Sequence, residues 1–186
     1  MPSLSPFSPR CNYQISEFAW QNRNGLHLSP RDQILVSRIC MAGAASFFQI
    51  CDKKRDRLKL KALGRAGVLN LYRLEGLYRM NVASWNRLNL DAMLRTLVLT
   101  QFLLISGAVF DGRQVHINGV PWDLFVVRYG DNAPWQKMQE SIRSLVLAEE
   151  YCAGIDVLPS TARILLDEDL IINRLHFITP GTFPAF

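Results

Sequence analysis

Residues 29–51 read SPRDQILVSRICMAGAASFFQIC, and the stretch begins with the signals of a helix N-terminus. The Ser29 hydroxyl can cap a helix, Pro30 suits the first helical position, and Asp32 lies three residues after the cap. Apolar residues then recur every three or four positions, as on one side of a helix. These residues are Ile34, Ile39, Cys40, Ala44, Phe47, Phe48 and Cys51. The pattern predicts one helix from Ser29 to about Cys51.

Helical periodicity also predicts elements further along the chain. The expected helices cover about residues 68–80, 90–106 and 132–151, and a last one opens at Pro159-Ser160. Gly107 is suited to end the second of them, because a glycine readily adopts the left-handed conformation after a helix. That helix is the most apolar, and we expect its large side chains to be buried: Leu97, Leu99, Phe102, Leu103 and Ile105.

Between Ala108 and Tyr129 the period changes to that of strands. Asp111-Gly112 and Asn118-Gly119 are two-residue hairpin signals, flanked by short runs of valine, isoleucine and aromatic residues. We therefore predict an α+β fold, a mainly helical domain of four to five helices with one small antiparallel β-hairpin or meander.

The length of 186 residues is near the usual size of one domain. Residues 1–28 mix proline, serine, asparagine and glycine with scattered aromatics, which is typical of an extended arm. The predicted organisation is an N-terminal arm (1–28), a single globular domain (29–178) and an extended C-terminal tail (179–186). Either arm could dock on its own core or on a second copy.

Composition argues against several classes of protein. The four cysteines form no CxxC pair, and the N-terminus has no apolar signal region, so we expect an intracellular protein, cytoplasmic or nuclear. The most apolar stretch, residues 92–110, contains Arg95 and polar residues, so no transmembrane span is predicted. No phosphate-binding loop, dinucleotide motif or zinc spacing occurs, and no cofactor or metal is expected.

Two enzyme hypotheses stay open beside a non-catalytic one. Asp111, Asp123 and Asp131 lie near the hairpins and could hold a divalent ion for a metal-dependent nuclease. A Cys-His hydrolase would need one of the cysteines to meet a histidine in the fold. The only histidines are His27, His116 and His176. The acidic run 167–169, predicted to lie in a helix, indicates a solvated face rather than a metal site.

The most informative feature is a basic tract in the centre of the chain. Residues 53–95 contain eleven lysines and arginines against three acids, a net charge of +8 within a chain of +5. Such a cluster attracts phosphates through counterion release, and Tyr72, Tyr78 and Trp85 could add stacking surfaces. The predicted nucleic-acid-binding residues are Lys53, Lys54, Arg55, Arg57, Lys59, Lys61, Arg65, Arg73 and Arg79.

The sequence therefore favours a non-catalytic binding or assembly protein that contacts a polyanion, RNA or DNA first, through this basic segment. A viral nucleoprotein would suit the design, and self-association through the arms would fit it. A peripheral membrane or matrix-like protein at an anionic membrane surface is the third hypothesis. No motif decides between these functions.

Overall fold

The computed structural model describes residues 4–17 and 28–180. Its backbone contacts divide the chain into two compact units. The four-stranded unit comprises Cys11–Thr100, and the five-stranded unit comprises Met1–Arg10 with Gln101–Phe186. The predicted globular domain, 29–178, covers parts of both. Residues 18–27 of the predicted arm and 181–186 of the predicted tail lie outside the described residues.

The four-stranded unit is an antiparallel sheet with helices inserted between its strands. Its strands are ordered β1-β3-β4-β2, and every pairing is antiparallel. In chain order its elements are β1 (Gln14–Glu17), α1 (Pro30–Cys40), β2 (Ala44–Ser46), α2 (Phe47–Ile50), α3 (Lys54–Arg65), β3 (Asn70–Glu75), β4 (Arg79–Ser84) and the first part of α4 (Leu90–Ser106).

The five-stranded unit contains a mixed sheet of order β5-β6-β7-β8-β9. The pairs β5–β6 and β6–β7 are antiparallel, whereas β7–β8 and β8–β9 are parallel. Beyond the end of α4 its elements are β5 (Val109–Phe110), β6 (Gln114–Ile117), β7 (Val120–Val127), α5 (Trp135–Glu140), β8 (Ser144–Ala148), β9 (Arg163–Leu166) and α6 (Asp167–Ile171). Short 3-10 turns occur at Pro9–Cys11 and Ala153–Ile155.

The predicted fold class is therefore wrong. The described residues form a mixed α/β fold with two sheets, of four and five strands, rather than a mainly helical domain with one hairpin. Among these residues only α1, α3 and α4 exceed two turns. The wrong helix predictions share one cause, since apolar runs that form strands were interpreted as helices.

The helix predicted from Ser29 to Cys51 begins as expected and ends early. The Ser29 backbone N–H donates to Asp32 Oδ2 at 2.9 Å, and Asp32 N–H donates to the Ser29 hydroxyl, which completes the capping box. The helix ends at Cys40, and Gly43 has a φ of +100°, a left-handed conformation that favours glycine. Ala44 to Ser46 then form the buried strand β2 against β4.

The helix predicted over residues 68–80 is instead the hairpin of β3 and β4. On β3, Tyr72 and Leu74 are buried, and Arg73 and Glu75 between and after them are exposed. This alternation has the period of a strand, but leucines and tyrosines spaced by three or four positions also fit a helix. Pairing with β1 and β4 settles the conformation.

Two further predicted helices contain central strands. Residues 132–151 form α5 and then β8, in which all five residues are buried. The helix predicted after Pro159-Ser160 is replaced by β9 and the short α6. A strand buried on both faces reads as a continuous apolar run and has no period of two to identify it.

The middle of the chain matches its prediction. Helix α4 covers Leu90–Ser106 and Gly107 follows with a φ of +66°. Of its predicted core residues four are buried, and Ile105 is partly exposed. The strands β5, β6 and β7 turn at Asp111-Gly112 and Asn118-Gly119 as expected. Within the described ranges, no helix combines the length and apolarity needed to cross a membrane.

Candidate nucleic-acid interface

Helix α3 carries the core of the basic tract. Asp56, in its first turn, accepts a hydrogen bond from the Lys53 backbone N–H at 3.1 Å, so the acid satisfies a free donor at the helix N-terminus. The helix continues to Arg65, although its sequence contains a glycine at position 64. Gly67, with a φ of +72°, follows its end.

Gly64 lies within α3, at the point where the β3–β4 hairpin packs against the helix. A Cβ atom at Gly64 would lie 2.3 Å from Leu71 Cδ1, and Leu71 is 2% exposed. The glycine is therefore a close-packing residue, and its place in the sequence does not mark a break in the helix. This contact fixes α3 against β3.

Two ion pairs join α3 to α1, one with its cation on α1 and the other with its cation on α3. Arg31 Nη2 of α1 lies 2.7 Å from Asp56 Oδ1 of α3, and Lys59 Nζ of α3 lies 2.9 Å from Asp32 Oδ2 of α1. In both pairs the carboxylate is buried and the cation is partly exposed. The pairs hold the helix in place, and they also occupy Lys59.

The same pairs lower the pKa of both acids. At Asp56 the hydrogen bond from Arg31 is the main cause and outweighs the effect of burial. At Asp32 burial raises the pKa, but the Lys59 ammonium and the Ser29 hydroxyl and N–H together outweigh it, so the net pKa is below its usual range. Both carboxylates are therefore charged at neutral pH.

We expect the four-stranded unit to lose stability in acid. A carboxyl group whose pKa is lower in the folded state stabilises the fold above its unfolded pKa, about 4, and loses this effect as the pH falls through the folded value. The free energy of unfolding should therefore fall from pH 5 towards pH 3, and amide hydrogen exchange at Leu60 and Leu63 should locate the loss.

The control is Asp52→Asn, because the Asp52 side chain is 80% exposed. This variant should keep the acid dependence of the parent, whereas the double variant Asp32→Asn with Asp56→Asn should flatten it. An unchanged pH profile in the double variant would show that the two pairs do not stabilise the unit.

The structure brings most of the predicted binding residues to one helix. Lys53 directly precedes α3, and six of the others lie on it: Lys54, Arg55, Arg57, Lys59, Lys61 and Arg65. Apart from Lys59, which is partly buried, they are exposed. Lys54, Arg55, Arg57 and Lys61 form no ion pair with any residue in the part of the chain that the structure describes. These four are the cations best placed to meet a phosphate.

Arg73 and Arg79 lie on the hairpin. The register pairs Arg73 with Asn81 and Glu75 with Arg79, so the two arginines share one face of the sheet. Leu71 is on this face, and it contacts the position of Gly64 on α3. Arg79 forms an ion pair with Glu75 at 3.2 Å. The hairpin therefore adds exposed arginines on the face that bears α3.

The aromatic contribution is smaller than the sequence indicates. Tyr72 is 4% exposed and belongs to the core, so it offers no stacking surface. Tyr78 is partly buried, whereas Trp85, directly after β4, is half exposed.

The three acids considered for a nuclease each accept hydrogen bonds from donors of their own. Asp111 accepts hydrogen bonds from the backbone of Arg113 and Gln114, and His116 contacts its other oxygen at 2.9 Å. Asp123 accepts from the side chains of Gln114 and Ser141, and Asp131 accepts from the Arg128 N–H. Residues 4–17 and 28–180 contain no group of three or more His, Cys, Asp or Glu side chains that could hold a metal.

Burial raises the pKa of two of the cysteine thiols, Cys40 and Cys51. The pKa of the Cys51 thiol is raised to about 11, which keeps it protonated and poorly nucleophilic at neutral pH. Cys40 is exposed, Cys152 is partly buried and Cys11 is buried. His27 lies outside the described residues, and His116 is engaged with Asp111.

Sequence analysis missed a charged network in the five-stranded unit. Arg128, Glu149 and Asp167 directly follow the parallel strands β7, β8 and β9, whose carboxyl ends meet at one edge of the sheet. Arg128 Nη1 lies 2.6 Å from Asp167 Oδ2, and both side chains are 1% exposed. The Ser5 hydroxyl donates to the same oxygen at 2.5 Å.

Glu149 forms the second half of this network. It accepts from the Ser8 hydroxyl at 2.5 Å, from Arg10 Nη2 at 2.7 Å and from the Tyr129 N–H at 3.1 Å. The Arg10 guanidinium also lies over the Tyr129 ring, 4.3 Å from its centre. These contacts bind residues 5–10 to the sheet edge, so we assign the network a structural role.

The acidic run 167–169 is thus not the solvated helical face predicted, because Asp167 and Asp169 are both buried. A signal was present in the sequence, since each of the three network residues comes directly after a short apolar run.

Comparison of the chain with protein-family models, with curated proteins and with solved structures finds no match. Any function must therefore be argued from the geometry of the chain itself.

Proposed function

We propose that the four-stranded unit binds duplex DNA and that α3 enters the major groove. The observation that carries the proposal is the position of α3 in the unit. Helix α2, a single turn, ends at Ile50 and α3 begins at Lys54, which leaves three residues between the two helices. This spacing resembles that of a helix-turn-helix, in which the second helix lies in the groove.

The packing of the unit supports this assignment. The Gln49 side-chain amide on α2 donates to the Leu97 carbonyl of α4 at 2.8 Å, and the Thr100 hydroxyl of α4 donates to the Ala44 carbonyl of β2. Helix α3 is tied to α1 by its two ion pairs. A helix held by contacts on its buried side can present its other side without rearrangement, which limits the free energy that binding costs.

The charge on α3 matches a phosphate backbone. Lys54, Arg55, Arg57 and Lys61 are exposed and form no ion pair with the described residues. Arg73 and Arg79 of the hairpin extend the positive surface beyond the helix. Contacts to phosphates position a protein on a duplex, and the groove helix between them reaches the bases.

Duplex DNA fits α3 better than RNA does. The major groove of B-form DNA is wide enough to admit a helix, whereas that of A-form RNA is deep and narrow. Single-stranded RNA is bound largely by stacking on aromatic side chains, and the basic helix itself carries none.

The test is a direct binding measurement with the full chain. Fluorescence anisotropy would compare a labelled DNA duplex of about two helical turns, an RNA duplex of the same sequence and phosphatidylserine vesicles. We expect tightest binding to the DNA duplex, with an affinity that falls with salt at a logarithmic slope of about −4, near −0.9 for each phosphate neutralised.

Tighter binding to RNA or to the vesicles would contradict the proposal and favour one of the other polyanions. Absence of salt-dependent binding to the DNA duplex would contradict it as well.

A further inference from the structure

The exposed side of α3 is not uniformly charged, because its centre is apolar. A helix turns about 100° per residue, so a side chain's direction follows from its position. The buried residues Asp56, Leu60, Leu63 and Gly64 define one side. Leu58 lies almost opposite the middle of this buried side, and it is 58% exposed.

Basic residues surround Leu58 on the helix surface. Positions three and four residues away are its neighbours on a helix, and Lys54, Arg55 and Lys61 occupy three of these four positions. The fourth is Ala62, which is partly exposed. The result is a small apolar strip, Leu58 and Ala62, with cations on both sides.

We infer that Leu58 contacts the methyl groups of thymines in the major groove, so that the site distinguishes thymine from bases without this methyl. The inference rests on the proposed function and adds which base the helix recognises. Leu58 is the fifth residue of α3, and the N-terminal part of a groove helix is the part that contacts base edges.

The chemistry of the groove supports this assignment. Each A·T pair presents the C5-methyl of thymine in the major groove, and apolar side chains recognise it by contact. The cations around Leu58 position it in the groove, because they can form ion pairs with the phosphates on both sides of the groove. A half-exposed leucine then loses its contact with water in the complex, which is favourable.

Two duplexes that differ only in the C5-methyl group of thymine measure its contribution to binding. One is a duplex of alternating adenine and thymine about two helical turns long, and the other has deoxyuridine in place of every thymidine. Both keep the same Watson–Crick pairing and phosphates. We expect the full chain to bind the thymine duplex about fourfold more tightly for each methyl contacted.

The variant Leu58→Ser should bind the two duplexes with equal affinity, because serine makes no apolar contact with the methyl group. Leu58→Met should keep the preference, because methionine is apolar. The matched control is Ile142→Ser in the five-stranded unit, which removes an aliphatic side chain that is 84% exposed and should leave the preference unchanged.

Equal binding of both duplexes by the parent chain would overturn the inference and leave the proposed function standing. A thymine preference that persists in Leu58→Ser would also overturn it, since the preference would then come from duplex shape. If no duplex is bound at all, the proposed function itself fails, and the inference fails with it.

Discussion

Replacing Lys54, Arg55, Arg57 and Lys61 by glutamine is expected to lower the affinity for duplex DNA by roughly a thousandfold at 0.1 M salt. All four cations are exposed, and the described residues offer them no ion-pair partner. Removing up to four phosphate contacts should reduce the steepness of the salt dependence by about 3.6 in logarithmic units. Anisotropy titrations at several salt concentrations measure both quantities.

The control has the same change in charge at another place. Arg113, Lys137, Arg143 and Arg174 are exposed residues of the five-stranded unit, and their replacement by glutamine also removes four positive charges. If general electrostatic attraction were responsible, both quadruple variants would lose affinity equally. A salt slope that is unchanged in the α3 variant would exclude α3 as the binding surface.

Replacing Arg128 by alanine is expected to destabilise the five-stranded unit by about 3–5 kcal/mol. The substitution leaves the Asp167 carboxylate buried without its cation, and it removes the donor to the Leu147 carbonyl. A buried charge without a partner is costly because water cannot solvate it. Urea unfolding measures the loss in a background with Trp20 and Trp85 replaced by phenylalanine, so that only Trp122 and Trp135 of this unit fluoresce.

Two further variants identify the cause. Arg113→Ala removes an exposed arginine of the same unit and should change the free energy of unfolding by less than about 0.5 kcal/mol. The double variant Arg128→Met with Asp167→Leu should recover most of the loss, because Arg128 Nε and Asp167 Oδ1 have no hydrogen bond within the described residues. A loss below about 1 kcal/mol in Arg128→Ala would show that the pair does not stabilise the sheet edge.

The candidate site could be predicted from the sequence only in part. The density of lysines and arginines in residues 53–65 indicated the basic segment, since charge is a property of composition. Lys59 was included with the rest, although its ammonium is held by Asp32, which lies 27 positions earlier in the chain. Leu58 was not singled out, because its place among the cations becomes visible only once residues 54–65 are known to form one helix.

The pairing of charges at the edge of the five-stranded sheet could not be predicted, although each network residue follows a short apolar run. Arg128 and Asp167 are 39 residues apart, and Ser5 is 162 residues from Asp167. Their meeting depends on the parallel pairing of β7, β8 and β9. No local signal specifies which buried strand pairs with which, so Asp167 was interpreted only as part of the acidic run 167–169, and Arg128 and Glu149 were not singled out.

The sequence by itself determined the features that depend on residues close together in the chain. These are the capping box that begins α1, the apolar helix α4 with Gly107 after it, and the turns at Asp111-Gly112 and Asn118-Gly119. Only the tertiary structure decided that Ala44–Ser46, Asn70–Glu75, Ser144–Ala148 and Arg163–Leu166 are strands. Short apolar runs satisfy a helix and a buried strand equally well, and hydrogen bonds to partner strands, most of them far away in the sequence, decide between them.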